Sequence, residues 1–301
     1  MTTPARALPK VPAPFPPEFM ALLHTLLARG ARTTGAREEQ ERARRTVLSQ
    51  SGTFVGHRPY VRGDDLRQLD WAAYARSGEL FTKQLEEPDR RTATLLLDLS
   101  PRLLVGDPPR RLAMLRLAAI VGGLVLTRLD GLTVVAPGAG TQRVVNFFGA
   151  GALPLLLRHL EALPITTSPP TELLELVLAR GVPPRVHWIS DFAQPKAIER
   201  PLAALRRAGA KVTGWLPALA TDREPPRSGY LRLADPATGD ELVVPIDASF
   251  AAAVAEQLAL LARQQLHLFA QAGAPLVRWP APARDDFRPA AWLPIVAGSA
   301  R

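Results

Sequence analysis

The chain has 301 residues, 47% hydrophobic and 22% charged, with a formal net charge of +9. That apolar content is ample for a sizeable core. The absence of cysteine excludes disulfides, thiolate nucleophiles and cysteine-ligated zinc or iron–sulfur centres. The five histidines, His24, His57, His159, His187 and His267, nowhere fall at helical-turn spacing, which argues against a paired-histidine zinc site.

Residues 1–16 are a proline-rich tail, expected to be extended, with no apolar run of the kind a signal peptide needs. Pro17 at a first-turn position and the spacing of Phe19, Leu22, Leu23, Leu26 and Leu27 predict an amphipathic helix ending near Gly30. A charged helix is expected over 36–48. Its run 37–45, REEQERARR, sets Glu38 and Glu41 four residues before Arg42 and Arg45. Positive charge is not concentrated there or elsewhere. Residues 1–91 hold 15 Lys/Arg against 11 Asp/Glu, and the remainder 22 against 17. So dispersed an excess describes a solvated surface and disfavours nucleic acid as a partner.

Residues 51–91 mix extended segments with one short helix, for which Asp64 or Asp65 is the expected N-cap and Leu66, Leu69 and Trp71 the apolar side. From Thr92 strands and helices alternate. Strands are predicted over 92–98, 131–136, 142–147, 185–190, 210–216 and 275–278. Helices are predicted over 109–129, 151–163, 171–180, 195–208 and 249–272, and a hairpin insertion over 228–246. The Gly-rich stretch Pro137–Thr141 lacks the residues of a phosphate loop and reads as a turn between strands. The alternation predicts an α/β fold with a doubly wound, mostly parallel sheet. The expected division is a tail (1–16), an extension (17–91) that wraps the core, an α/β domain (92–280) and a C-terminal tail (281–301). The stretch from Leu117 to Thr127 is too short to span a membrane, so a cytoplasmic protein is expected.

Two apolar runs without alternation, Thr94–Leu97 and Val186–Ile189, lead into Asp98 and Asp191. Such runs suit strands covered on both faces, and open α/β sheets bind ligands where their strands end. Asp98 is followed by the hydroxyl of Ser100, and Thr171 lies on a third turn. Asp98, Ser100, Thr171 and Asp191 resemble the metal-ion-dependent adhesion site of von Willebrand factor A-type domains. That resemblance implies octahedral magnesium held by carboxylate and hydroxyl oxygens, with one position open to a partner's carboxylate. Arg102 stands where the pattern has a last serine. An arginine cannot ligate a cation, but its guanidinium can lie against Asp98 or Asp191 and substitute for the ion. The site is therefore expected to hold no cofactor, or weakly bound magnesium.

A second constellation lies upstream: Arg62, Gly63, Asp64, Asp65, Arg67, Asp70, Trp71 and Arg76 within RPYVRGDDLRQLDWAAYAR. Asp64, Asp65 and Asp70 could act as acid, base or metal ligands of a hydrolase. The plainer reading makes Gly63-Asp64-Asp65 a turn and cap, pairs Asp70 with an arginine and puts Trp71 in the core. Together with LLLDLS and WISDF, this segment resembles the domain-of-unknown-function family fifty-eight. That resemblance implies a von Willebrand A-like domain working beside a MoxR-type AAA+ ATPase in assembling or remodelling other proteins. The expectation is a non-enzymatic interaction module; the alternatives are the metal-dependent hydrolase and an arginine-rich nucleic-acid binder.

Overall fold

The computed structural model describes residues 13–31, 53–61, 69–86, 92–100, 103, 110–128, 131–138, 143–164, 170–219, 222, 229–234 and 240–298. The chain divides into two compact units, residues 1–31 with 92–301, and residues 32–91. The extension expected over 17–91 is thus shared between the two. The charged helix expected over 36–48 lies outside the described residues.

In the smaller unit, β1 (Thr53–Pro59) and β2 (Phe81–Glu86) pair antiparallel, with α2 (Trp71–Ser77) between them in sequence. The helix begins later than expected, because its N-cap is Asp70, whose Oδ1 accepts from the amides of Ala72 and Ala73, both at 3.0 Å. Gly78 closes it at φ 73°, a left-handed position that glycine adopts without strain. Trp71, expected in the core, is 63% exposed, because the first turn of this short helix turns outward and only Ala73 is buried.

The larger unit opens with α1, residues 17–31, whose Phe19, Leu22, Leu23, Leu26 and Leu27 are all buried as their spacing predicts. Its sheet is formed by β3 (Thr92–Leu97), β4 (Gly131–Val135), β5 (Val144–Phe148), β6 (Arg185–Ile189), β7 (Lys211–Ala218) and β10 (Leu276–Pro280). The strand order is β10-β7-β6-β3-β4-β5. Every pairing is parallel except that of β5, which runs antiparallel to β4 at one edge. Between them in sequence lie α3 (Arg110–Arg128), α4 (Leu153–Ala162), α5 (Pro170–Leu178), α6 (Pro195–Arg207) and α7 (Ala248–Gln271). A separate hairpin, β8 (Gly229–Ala234) with β9 (Glu241–Ile246), precedes α7.

Alternate strand residues face opposite layers. Leu95, Leu97, Val134 and Ile189 pack in one core with Leu23 of α1, Leu117 of α3 and Leu156 of α4. Leu96, Val135 and Trp188 pack in a second core with Leu173 of α5, Leu202 of α6 and Phe269 of α7. With both faces covered, the strands need no polar alternation, which is why they read as continuous apolar runs. The stretch expected as a C-terminal tail instead forms α8 (Pro289–Gly298), which buries Trp292, Ile295 and Val296 in the first core.

Helix α3 is the centre of that layer, with 17 of its 19 residues buried. A helix apolar on all sides needs neighbours on all sides. Gly122 and Gly123 let them approach: a Cβ at Gly122 would stand 2.8 Å from Leu156 of α4, and one at Gly123 would stand 3.0 Å from Leu27 of α1. Three arginines of α3 are buried as well and bond to backbone carbonyls around it. Arg111 reaches Leu163 at 2.7 Å, Arg128 reaches Gly30 at 3.1 Å, and Arg116 reaches both Pro14 at 2.9 Å and Arg284 at 2.6 Å.

Candidate functional site

The loop after β3 leads through α3 to β4, on one side, while the loop after β6 leads through α6 to β7, on the other. The connections therefore part between β3 and β6, and the crevice at their carboxyl ends is where an open α/β sheet has room for a ligand. Leu97 pairs with Ile189, so Asp98 and Ser190 come next in register on adjacent strands. The amide of Asp98 donates to the carbonyl of Ile189 at 3.1 Å. Asp98, 9% exposed, accepts through Oδ2 from Ser190 Oγ at 2.9 Å.

Ser190 Oγ in turn accepts from the amide of Phe192 at 3.0 Å. Phe192 has φ 46°, a left-handed conformation that costs a non-glycine residue about 1 kcal/mol. It is held there because its ring is buried against Trp188 and Phe269. Gln265 of α7 also donates to the carbonyls of Asp191 and Phe192 at 3.1 and 3.0 Å. Asp191 Oδ1 accepts from the amide of Ala193 at 3.1 Å, which fixes the carboxylate over the turn. Ser100 lies two residues beyond Asp98, and its Oγ is buried with no hydrogen-bond partner among the described residues.

Asp98, Ser100 and Asp191 thus belong to two neighbouring strand ends at one edge. Thr171 is the second residue of α5; its side chain, like the whole of Arg102, lies outside the described residues. So do Arg62, Gly63, Asp64, Asp65 and Arg67. Asp70, Trp71 and Arg76 belong to α2 in the smaller unit, and Asp70 Oδ1 is engaged in capping. Among the described residues, no three His, Asp or Glu side chains are grouped to hold a metal. The carboxylate of Asp98 and the hydroxyl of Ser100 are hard oxygen donors of the kind magnesium takes, carried two residues apart on the same strand end.

The edge carries two further charged features. Arg110, at the start of α3, makes a two-pronged ion pair with Asp222 beyond β7 and donates to the carbonyl of Pro217 at 2.7 Å. Arg143, just before β5, lies 2.6 Å through Nη1 from Glu172 Oε1 in the first turn of α5. Its Nε and Nη2 are buried without a hydrogen-bond partner among the described residues. Ser190, Gln265, Arg143 and Glu172 were not singled out by sequence. Only Ser190 left a signal, since parallel register puts a polar residue beside Asp98.

Comparison with known proteins gives one family and distant structural likeness. The model of the family described as "Protein of unknown function DUF58" matches residues 56–264. No curated protein matches the chain. Among solved structures, a conserved hypothetical protein BatB from Bacteroides thetaiotaomicron is 13% identical, at a TM-score of 0.39. An aerotolerance-related membrane protein from Bacteroides fragilis NCTC 9343, carrying multiple mutations to serines, is also 13% identical, at 0.40. Each match covers 70% of this chain and 98% of the other. Among the described residues, no helix of this chain is long and apolar enough to cross a membrane.

Proposed function

The chain belongs to the DUF58 family of proteins of unknown function, and from that premise we propose that it is a non-catalytic, von Willebrand A-like interaction module. Its partner is a MoxR-type AAA+ ATPase, which hydrolyses the nucleotide while this chain supplies a docking edge for protein assembly or remodelling. One observation supports the reading: Asp98 and Ser190 are hydrogen-bonded side by side where the sheet's connections diverge, with Ser100 and Asp191 on the turns that follow them. Their polar groups are largely held by one another and by the backbone, an arrangement suited to positioning a partner's side chain.

Asp98, Ser100, Thr171 and Asp191 are the residues that would hold magnesium, and a bound ion would supply a Lewis-acid contact for an acidic side chain. Arg102 offers the same attraction without a metal. Ser190 holds the Asp98 carboxylate, and Gln265 keeps the Asp191 turn in place.

The test is capture of a purified MoxR-type ATPase on immobilised chain, with melting temperature as the folding control. Wild type retains the ATPase, and Asp191→Ala loses it at unchanged melting temperature; equal capture by both disproves the docking edge. Calorimetry with magnesium separates the two modes. The wild-type chain binds the ion weakly and Arg102→Ser strengthens it, whereas tight binding by wild type removes Arg102 as the surrogate.

A further inference from the structure

We infer that β5 is a docking strand for a second copy of this chain, the two β5 strands pairing antiparallel about Asn146 so that two sheets become one. The inference goes beyond the docking role above and uses none of its residues. β5 closes one side of the sheet, and among the described residues no backbone group pairs with its outer side. Asn146 and Phe148 are both exposed, Phe148 at 61%.

The ladder with β4 shows which backbone groups point outward. The amide of Ala136 donates to the carbonyl of Arg143 at 3.0 Å, so these two residues form a bonded facing pair. Bonded and non-bonded pairs alternate along antiparallel strands. Arg143, Val145 and Phe147 therefore aim their backbone groups at β4, whereas Val144, Asn146 and Phe148 aim theirs away from the sheet. Thr133 and Asn146 behave as a non-bonded pair should, with close side chains: Thr133 Oγ1 donates to Asn146 Oδ1 at 2.8 Å. The outward residues are symmetric about Asn146. In a two-fold pair, Asn146 faces its own copy and Val144 faces Phe148 of the partner subunit. Each facing pair exchanges both of its N–H···O bonds, and the bare ring of Phe148 gains a β-branched neighbour.

Free strand sides are normally guarded by charge, proline or a bulge. Elsewhere in the larger unit they are guarded. β10 carries Arg278 and Pro280, β8 carries Arg232, and β9 carries Glu241 and Pro245. β5, VVNFF, has none of these and pairs with β4 without a bulge. An uncharged strand gives a charged peptide nothing to recognise, but it lets two chains of net charge +9 meet without like charges face to face. Arg143 comes opposite Gly149 in this register, and its charge is already met by Glu172. The crevice between β3 and β6 is separated from β5 by β3 and β4, so the pairing does not occupy it.

The test reads the mass of the full chain by light scattering across a dilution series. Wild type gives a dimer that dissociates on dilution. Phe148→Lys places a charge on the free side, and Asn146→Pro removes an outward N–H without touching the bonds to β4. Both give the monomer mass at unchanged melting temperature. The chain has no cysteine, so Asn146→Cys introduces a single thiol. Facing residues of a bonded pair have Cα atoms about 5.5 Å apart, within reach of a disulfide. Mild oxidation therefore links Asn146→Cys into a covalent dimer and leaves Glu256→Cys, exposed on α7, unlinked. A monomer mass for wild type at the highest soluble concentration overturns the inference, as does a polydisperse aggregate in place of a dimer. A dimer that persists in Phe148→Lys, with no preferential linkage at position 146, overturns it too by placing the contact elsewhere. Should Asn146→Pro fail to fold, Phe148→Lys and the cysteine pair decide.

Discussion

His187, in β6 two residues before Ile189, is a buried imidazole whose Nδ1 accepts from Trp215 Nε1 at 3.2 Å. A nitrogen that accepts must keep its lone pair, so the ring has to be neutral. Burial, with Arg185 adding to it, lowers the pKa to about 4 from an ordinary 6.5. The unfolded chain takes up a proton near pH 6.5 that the folded chain refuses until about 4. Stability is therefore full above that window and declines as pH falls through it, by up to about 1.4 kcal/mol per pH unit. His187→Asn keeps an acceptor for Trp215 but does not titrate. Urea unfolding between pH 7 and 4 should show a flatter stability profile for this variant than for wild type. Ser190 makes a sharper test of the site. Ser190→Ala removes the donor to Asp98 and the acceptor for Phe192 together, leaving buried polar groups unmatched. A loss of about 1–3 kcal/mol in urea unfolding is expected, and a loss near zero would mean that Asp98 does not depend on this hydroxyl.

At the scale of elements, the legible parts are those whose signal is local. Thr94–Leu97 and Val186–Ile189 announce strands because a sheet covered on both faces needs no alternation, and α1 shows in the spacing of its leucines. Less legible are elements whose stability comes from distant partners. Pro289 and Pro294 disguise α8, which exists because Trp292 and Ile295 fill the core beside α1 and α3. Trp71 reads as core by its bulk, yet α2 turns it outward. The Asp98–Ser190 contact depends on register between strands 92 residues apart, and the Arg143–Glu172 pair joins two elements with no shared pattern. Close approach is equally hidden. In β7, a Cβ at Gly214 would stand 2.3 Å from the ring of Phe269 in α7. Gly214→Ala should therefore destabilise by about 1–3 kcal/mol through overpacking. Phe269→Leu in the same chain should recover part of that loss, as thermal melts of the single and double variants would reveal.

For the whole molecule, the net charge of +9 is a poor guide to its surface, because Arg111, Arg116 and Arg128 are spent inside on backbone carbonyls. Duplex DNA should accordingly bind weakly at physiological salt, and tight binding with a steep salt slope would restore the nucleic-acid alternative. Arg116 matters most. Its guanidinium lies over the rings of Phe19 and Phe287 at 5.5 and 4.9 Å. Burial lowers its pKa to about 10, with Asp285 opposing the shift, so it is charged at neutral pH. Arg116→Met keeps the bulk but strands the carbonyls of Pro14 and Arg284. We expect a loss of about 2–4 kcal/mol, read by urea unfolding, together with faster proteolysis near residues 14 and 284.

Because one guanidinium fastens residues near both ends of the larger unit, a stretching load applied between positions 14 and 284 falls first on two hydrogen bonds and an aromatic clasp. Beyond that clasp the load passes to α1 at one end and to the edge strand β10 at the other, so a single-molecule trace would show a small early rip before the main one.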